Sequence, residues 1–325
     1  MEWTADASAG AWLRERLDAE AVDMHVVVPR GFPAYVRIFH PAHRERPIGE
    51  PWPGLPYDAH RAEWEAFQAR SPETIEEQVS WAETAGAMGT VMHAGAQWDR
   101  IVAPGRIVEN EDGPRDRDGW RYAEPPIGGL EVDVLAAVAG HLVEHTTTPD
   151  AGMAGIWEGW GRLLGYHGKG PSSRAFFGWG GDPHHAAMLS RSVHDAFNNV
   201  FRRATWQEGI LSREISEGPR LQLPDRGHVL FTAAPREFAD PAWILGAPWH
   251  DRESEGHGFP PSAQSPSLVW PDDHAWVLVS EVDFDSTIVA GAEALIRAIC
   301  SDERIEALPI AEGTRLTWNV DEVNR

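Results

Sequence analysis

Residues 130–157, LEVDVLAAVAGHLVEHTTTPDAGMAGIW, contain a helical pattern followed by a strand pattern across one short connection. From Leu130 to Leu142, apolar side chains recur at every fourth position, which is the spacing of one face of an α-helix. The sequence therefore predicts a helix over 130–145, and it predicts that the chain returns as a strand over 152–157.

The rest of the chain alternates between the same two patterns without a regular β-α-β cycle. We predict further strands at residues 26–28, 34–40, 229–232, 275–284 and 305–310. We predict further helices at residues 11–21, 59–69, 184–201 and 287–300, and one that begins at Pro72 behind the N-cap Ser71. Irregular stretches are expected at 104–129, 155–181 and 250–273. This order favours an α+β fold, a layered mixed or antiparallel sheet with packed helices and long irregular loops.

The length leaves the number of domains open. A chain of 325 residues can form one large domain or two of ordinary size. The charged, Gly- and Pro-rich stretch 104–129 is the expected interior boundary. We therefore predict an N-terminal α+β part, residues 1–128, and a C-terminal α+β part, residues 129–325, with one continuous domain as the alternative.

The composition excludes several classes of function. Lys and Arg number 28 against 50 Asp and Glu, so the formal net charge is -22. Because phosphate backbones and anionic headgroups repel such a surface, we expect neither nucleic acid nor membrane as a partner. Cys300 is the one cysteine, which excludes an internal disulfide framework. The amino-terminal stretch carries acids where an export signal needs apolar residues, so we expect a cytoplasmic protein.

The string HLVEH at the end of the first helix matches the motif H-x-x-E-H. On a helix, His141 and His145 lie one turn apart on one face, so both imidazoles could reach one zinc ion while Glu144 activates its water. The string resembles that of the inverted zinc peptidases. The resemblance implies a downstream glutamate ligand, for which Glu214 and Glu217 have the matching spacing. The alternative is that helix-end histidines cap backbone carbonyls.

A second candidate site is the acidic run Glu281, Asp283 and Asp285. On a strand these side chains would lie on one face, with neighbouring carboxylates about 7 Å apart. At that separation a pair of carboxylates can carry out acid and base chemistry. The run resembles the E-x-D-x-E strand of retaining glucanases, with Asp285 where that family has glutamate, so the last carboxylate would sit too far back. The alternatives are a solvated acidic strand face, or caps for a helix beginning near Ser286.

Tryptophan-rich segments give the third candidate. Residues 264–276 have a loop composition, yet they would expose a large apolar patch if they did not pack against the body of the protein. We predict that they dock beside the turn that follows the strand 152–157, forming a Trp-lined acidic groove. The groove residues are Trp157, Trp160, Trp270, Asp272 and Trp276.

The string SPSLVWPDDHAW, residues 265–276, is similar to the S-P-x-L-x-W-P-D-D-x-A-W string of a group of hypothetical actinobacterial proteins. The resemblance extends over the last two thirds of the chain and implies shared ancestry but no particular chemistry. It includes His145 but not His141, which disfavours the zinc interpretation.

These observations lead to one prediction of function and two alternatives. We predict a cytoplasmic protein that binds a small molecule or a protein partner in the Trp-lined groove and needs no cofactor. The alternatives are a zinc-dependent hydrolase that uses His141 and His145, and a carboxylate-based hydrolase that uses Glu281 and Asp283.

Overall fold

The computed structural model describes residues 1–104, 113–168, 204–316 and 320–324. The strands are β1 (Glu2–Trp3), β2 (Ala34–Phe39), β3 (Ala42–Pro47), β4 (Thr74–Val79), β5 (Arg121–Ala123), β6 (Gly152–Trp157), β7 (Tyr166–Gly168), β8 (Thr205–Gln207), β9 (Leu221–Leu223), β10 (Arg226–Thr232), β11 (Leu268–Pro271), β12 (Val277–Val279), β13 (Ser286–Gly291) and β14 (Ala307–Ile310). The α-helices are α1 (Ala11–Arg16), α2 (Arg61–Arg70), α3 (Trp81–Met88), α4 (Trp98–Val102), α5 (Val132–Glu144), α6 (Arg213–Glu217), α7 (Trp243–Gly246), α8 (Arg252–Glu255) and α9 (Glu293–Cys300). Short 3-10 helices cover Ala7–Gly10, Met24–Val26, Tyr57–Ala59 and Pro235–Ala239.

A large sheet organises the described part of the chain. Its strand order is β1-β10-β6-β11-β12-β13-β2-β14, and β9 also pairs with β10. These pairings are all antiparallel. The predicted α+β fold is confirmed, with an antiparallel sheet. Because β2 lies between β13 and β14, strands from both sides of residue 128 form the same sheet.

The segment 264–276 contributes a strand to the middle of this sheet. In β11, Leu268 lies opposite Gly155 and Trp270 opposite Met153, so the segment pairs with the strand β6 itself, whereas the sequence predicted docking beside the turn that follows it. The turn that follows β11 is fastened by Asp273, whose carboxylate accepts hydrogen bonds from residues 146, 147 and 275. Despite its loop-like composition, the segment therefore forms a strand and a turn that is held by several hydrogen bonds.

Helices cover both faces of the large sheet. The apolar faces of α5 and α9 pack on one side, in a cluster that contains Leu142 and Trp276. On the other side α1 and the 3-10 helix Met24–Val26 pack in a second cluster that contains Trp270. Residues that alternate along each strand therefore enter separate cores.

A smaller sheet and two helices form a third apolar cluster at the end of β2. The small sheet has the order β4-β3-β5. Phe39 at the end of β2 contacts Trp81 of α3 at 4.9 Å between ring centroids, and Trp81 contacts Trp98 of α4 at 5.3 Å. This aromatic row joins α3 and α4 to the large sheet, and it fixes the first residues of α4 beside the turn between β12 and β13.

Several predicted elements differ from the structure. The helix predicted to begin at Pro72 is wrong, because residues 74–79 form β4 and the helix begins later, behind a capping box of Ser80 and Glu83. Residues 287–291 are strand instead of helix, since Thr287, Ile288 and Val289 are β-branched and pair with β2. The predicted strand 26–28 is wrong, because Val26 ends a 3-10 helix and residues 27–28 form a turn and a bend. The predicted helix 184–201 lies outside the described residues.

Long apolar helices are absent from the described residues. Nowhere in those ranges does a helix have the length and apolar character required to cross a bilayer.

Candidate functional site

The structure gives the histidines of the H-x-x-E-H string local partners. His141 Nε2 lies 2.8 Å from Asp302 Oδ2, and His145 Nδ1 donates to the backbone oxygen of His141 at 2.8 Å, at the end of α5. Glu217 of α6 is paired with Arg213. Throughout the described residues, no three His, Cys, Asp or Glu side chains are spaced to hold a metal ion. The geometry matches histidines that complete a helix end.

The acidic run lies on a turn instead of a strand, so the expectation that its members share one face is wrong. Strand β12 ends at Val279, and β13 begins at Ser286. Glu281 and Asp283 both bind Arg226, each at 2.8 Å, and their side chains are 11% and 72% exposed. Asp285 points elsewhere, to Arg37. The reason is that the chain must reverse direction between two antiparallel neighbours, and the turn separates the carboxylates.

The predicted groove residues do not meet on one surface. Trp157 and Trp160 contact each other edge to face at 5.6 Å. Trp270 and Trp276 are fully buried, and they lie in the separate clusters on the two faces of the sheet. Asp272 is exposed on the turn after β11. The segment pairs with β6, and the register of β11 with β12, which sets Leu268 opposite Val279 and Val269 opposite Leu278, places the two tryptophans on opposite faces of the sheet.

A cleft of about 410 Å³ lies where the turn after β12 meets the beginning of α4 and residues 124–127. Its polar and apolar walls are formed by Arg37, Gln97, Trp98, Asp99, Glu124, Pro125, Ile127, Asp283, Phe284, Asp285, Ser286 and Leu316. Two of the predicted catalytic residues, Asp283 and Asp285, therefore line a concave site. Glu281 lies outside it.

Arg37 forms the floor of the cleft. Its guanidinium donates from Nε to Ser286 Oγ at 2.8 Å, from Nη1 to the backbone oxygens of Ala94 at 3.2 Å and Ala96 at 2.7 Å, and from Nη2 to Asp285 Oδ1 at 3.2 Å. The same group lies 4.5 Å from the ring centroid of Phe39. The Arg37 side chain is 5% exposed and that of Asp285 28%. This hydrogen bonding holds a buried charge rigidly at the base of the site.

The electrostatics of the cleft are dominated by acids. Burial raises the pKa of the Asp285 carboxyl, and the Asp99 carboxylate raises it further, while Arg37 opposes both effects. Asp285 is paired with Arg37 and Asp283 with Arg226, whereas Asp99 and Glu124 are exposed at the rim and form no ion pair with a cation of the described ranges. The cleft thus carries more negative than positive charge.

A buried chain of hydrogen bonds lies behind the cleft. His40 Nδ1 donates to the Pro126 oxygen at 2.7 Å, so its Nε2 accepts from Thr287 Oγ1 at 2.9 Å, and Thr287 Oγ1 lies 2.6 Å from Ser280 Oγ. Burial lowers the pKa of His40 to about 4, so the imidazole is neutral. Solvent reaches none of these three side chains. We therefore interpret this hydrogen-bond network as a structural connection between the ends of β2 and β12 and the beginning of β13.

Sequence reasoning missed most of the cleft. Arg37, Asp99 and Glu124 come from parts of the chain that are far apart in sequence, and the fold brings them to the turn that carries Asp285. The available signal was Arg37, a charged residue inside the otherwise apolar run YVRIF of β2. A charge inside a buried strand requires a partner, and that requirement points to a polar site.

Comparisons with protein-family models, with curated proteins and with solved structures find no match to this chain.

Proposed function

We propose that the protein binds a small organic cation in the acidic cleft. The observation that carries this proposal is the surplus of carboxylates over cations on the lining of the cleft. Among the described residues, four acids line it, of which Asp285 is paired with Arg37 and Asp283 with Arg226, so Asp99 and Glu124 carry the surplus. The Arg37 guanidinium already donates to four oxygens of the protein. A positively charged ligand would restore the balance of charge.

The spread of the carboxylates favours an organic cation over a metal ion. A calcium or magnesium ion requires several oxygen ligands within about 2.6 Å of one point. The described residues contain no cluster of acids with that spacing. Ammonium groups carried on a hydrocarbon frame can pair with carboxylates that lie farther apart, because each charge contacts its own partner.

The apolar wall of the cleft supports the same class of ligand. Ile127 is 57% exposed, and Phe284 and Leu316 line the cleft beside it. A cleft of about 410 Å³ falls within the range that small ligands occupy. Methylene groups of an amine would cover this wall while its ammonium groups face the acids. We place this binding in the cytoplasm, which is consistent with a chain that has one cysteine.

Titration calorimetry with butane-1,4-diamine and butylamine tests the proposal, with butan-1-ol as the neutral analogue. We expect both amines to bind and the alcohol not to bind. Asp99→Asn and Glu124→Gln should each raise the Kd of the diamine about fivefold, the effect of removing one rim charge in a solvated site. These residues are suited to the test because, within the part of the chain that the structure describes, they form no ion pair whose loss would disturb the fold.

Matched control variants separate the cleft from the general charge of the protein. Asp133→Asn removes an exposed acid from the first turn of α5, as Asp99→Asn does from α4, and Glu15→Gln removes an exposed glutamate from α1. Both controls should leave the Kd within a factor of two. The proposal is contradicted if the amines produce no heat at millimolar concentration, or if the controls weaken binding as much as the rim variants do.

A carboxylate-based hydrolase is the second candidate, and the observation in its favour is the raised pKa of Asp285 in a cleft with other acids. A general acid must hold its proton near neutral pH, whereas Arg37 beside Asp285 favours the ionised carboxylate. Binding therefore has the stronger support. Hydrolysis of a panel of nitrophenyl glycosides that is abolished in Asp285→Asn but not in Asp283→Asn would favour the hydrolase instead.

A further inference from the structure

The segment 321–324 is bound to the loop that precedes α4. Asp321 accepts hydrogen bonds from His93 Nε2 at 3.0 Å through Oδ1 and from the Gln97 backbone at 3.3 Å through Oδ2. Asn324 forms a reciprocal pair with the backbone of Val91, accepting from its N–H and donating to its oxygen, each at 2.9 Å. The segment therefore holds both ends of the loop 91–97.

Asp321 is the centre of this arrangement. Its side chain is fully buried, and it also accepts from the backbone of Val323 and Asn324 and from Asn324 Nδ2. These hydrogen bonds hold the pKa of the Asp321 carboxyl below its usual value although burial opposes them. A buried carboxylate with so many donors has one stable orientation, so the segment and the loop are fixed relative to each other.

The same loop forms part of the cleft. Its backbone oxygens at Ala94 and Ala96 accept hydrogen bonds from Arg37, and Gln97 lines the wall. If the loop moves, Arg37 loses two of its acceptors and its orientation toward Asp285. We infer that Asp321 and Asn324 are positioning residues for the cleft, which hold the loop 91–97 in the conformation that orients Arg37. The consequence for ligand affinity rests on the proposed function, but the consequence for the loop does not.

Hydrogen–deuterium exchange of the full chain tests the inference without a ligand. In Asp321→Asn, an amide replaces an acceptor that faces only donors, so peptides covering residues 91–97 should exchange about tenfold faster. Peptides covering residues 283–287 should also exchange faster, because Arg37 binds Ser286 and Asp285 there. Peptides covering residues 132–157, which lie in α5 and β6, should keep the wild-type rate.

Val323→Ala is the matched control, because Val323 belongs to the same segment and is 59% exposed. It should leave all three groups of peptides unchanged, whereas Asn324→Ala should reproduce the effect of Asp321→Asn. Acceleration at 91–97 without acceleration at 283–287 would show that the segment holds the loop but not Arg37, and it would overturn the inference. Uniform acceleration that includes residues 132–157 would also overturn it, because it indicates loss of the whole fold.

Calorimetry with butane-1,4-diamine then tests the consequence for binding. We expect the Kd to rise about tenfold in Asp321→Asn and to change less than twofold in Val323→Ala. If wild-type protein binds no amine while the two exchange effects are present, the proposed function fails and the positioning role stands. If the amine binds and its Kd is the same in Asp321→Asn, the positioning role fails.

Discussion

At the scale of single residues, the pair of Arg37 and Asp285 determines how the cleft responds to substitution. Asp285→Asn leaves a guanidinium that is 5% exposed without its carboxylate. We expect a loss of about 3 kcal/mol in the free energy of unfolding, because an uncompensated buried charge costs several kcal/mol. Urea denaturation measures this loss. Asp283→Asn is the control, since its side chain is 72% exposed, and it should cost less than about 0.5 kcal/mol.

Two buried histidines make the stability depend on pH. Burial lowers the pKa of both His40 and His228 to about 4, whereas an unfolded histidine titrates near 6.5. Between these values the unfolded chain binds more protons than the folded one, so stability falls as the pH decreases from 6.5 toward 4. Each histidine should contribute a loss of about 2 kcal/mol between pH 7 and pH 5.

Urea denaturation at the two pH values checks this dependence. In His40→Gln, whose amide can replace the donor and the acceptor of the imidazole, about half of the loss should disappear. An unchanged dependence in this variant would contradict the assignment to His40, and a gain of stability at pH 5 would contradict the sign.

At the scale of elements, Asp273 links the turn between β11 and β12 to the connection between α5 and β6 through hydrogen bonds. Its carboxylate accepts hydrogen bonds from Thr146 and Thr147 at 2.6 to 2.8 Å, which hold its pKa at about 2. Asp273→Ala should lower the free energy of unfolding by about 2 kcal/mol, because it leaves these donors without their acceptor. Asp272→Ala changes the neighbouring exposed residue and should cost less than about 0.5 kcal/mol. Equal losses in thermal or urea denaturation would argue against a role for the Asp273 carboxylate.

The elements also show how far the sequence could predict the structure. Periodicity identified α5 and β2, and the sequence also indicated β6, α2 and the α+β class, because those patterns depend on neighbouring residues alone. Residues 287–291 were expected in a helix with the residues that follow, but pairing with β2 makes them a strand, a contact that local pattern does not contain. The sequence indicated the acidic run as a candidate site. The reversal of the chain between β12 and β13, however, determines that Asp283 and Asp285 line the cleft and that Glu281 does not.

The cleft could not be predicted from the sequence for a related reason. Its walls come from the turn after β12, the first turn of α4 and residues 124–127, and only the tertiary fold brings these together. The tryptophan groove failed as a surface because the turn and the strand register between its two tryptophans depend on pairing that the sequence does not show. Trp270 and Trp276 enclose a tight turn, and the register on either side of it sends them into different cores.

At the scale of the whole molecule, the predicted parts 1–128 and 129–325 share one sheet. Strand β2 of the first part pairs with β13 and β14 of the second. We expect fragments 1–128 and 129–325, expressed separately, to lack the near-ultraviolet circular dichroism of the full chain, because each would expose buried strand surfaces. The full chain should unfold in one urea transition. Two transitions, or a folded isolated fragment, would support two independent domains.

The surplus of carboxylates on the cleft has a kinetic consequence. A chain with a formal charge of -22 attracts a cation from solution over distances of about one Debye length, near 8 Å at physiological ionic strength. Added salt should therefore slow the association of a diamine, as stopped-flow mixing would measure. Dissociation depends on short contacts, with Ile127 and Phe284 among the lining residues, and it should change little. Ionic strength would then control how quickly the cleft fills rather than how long it stays filled.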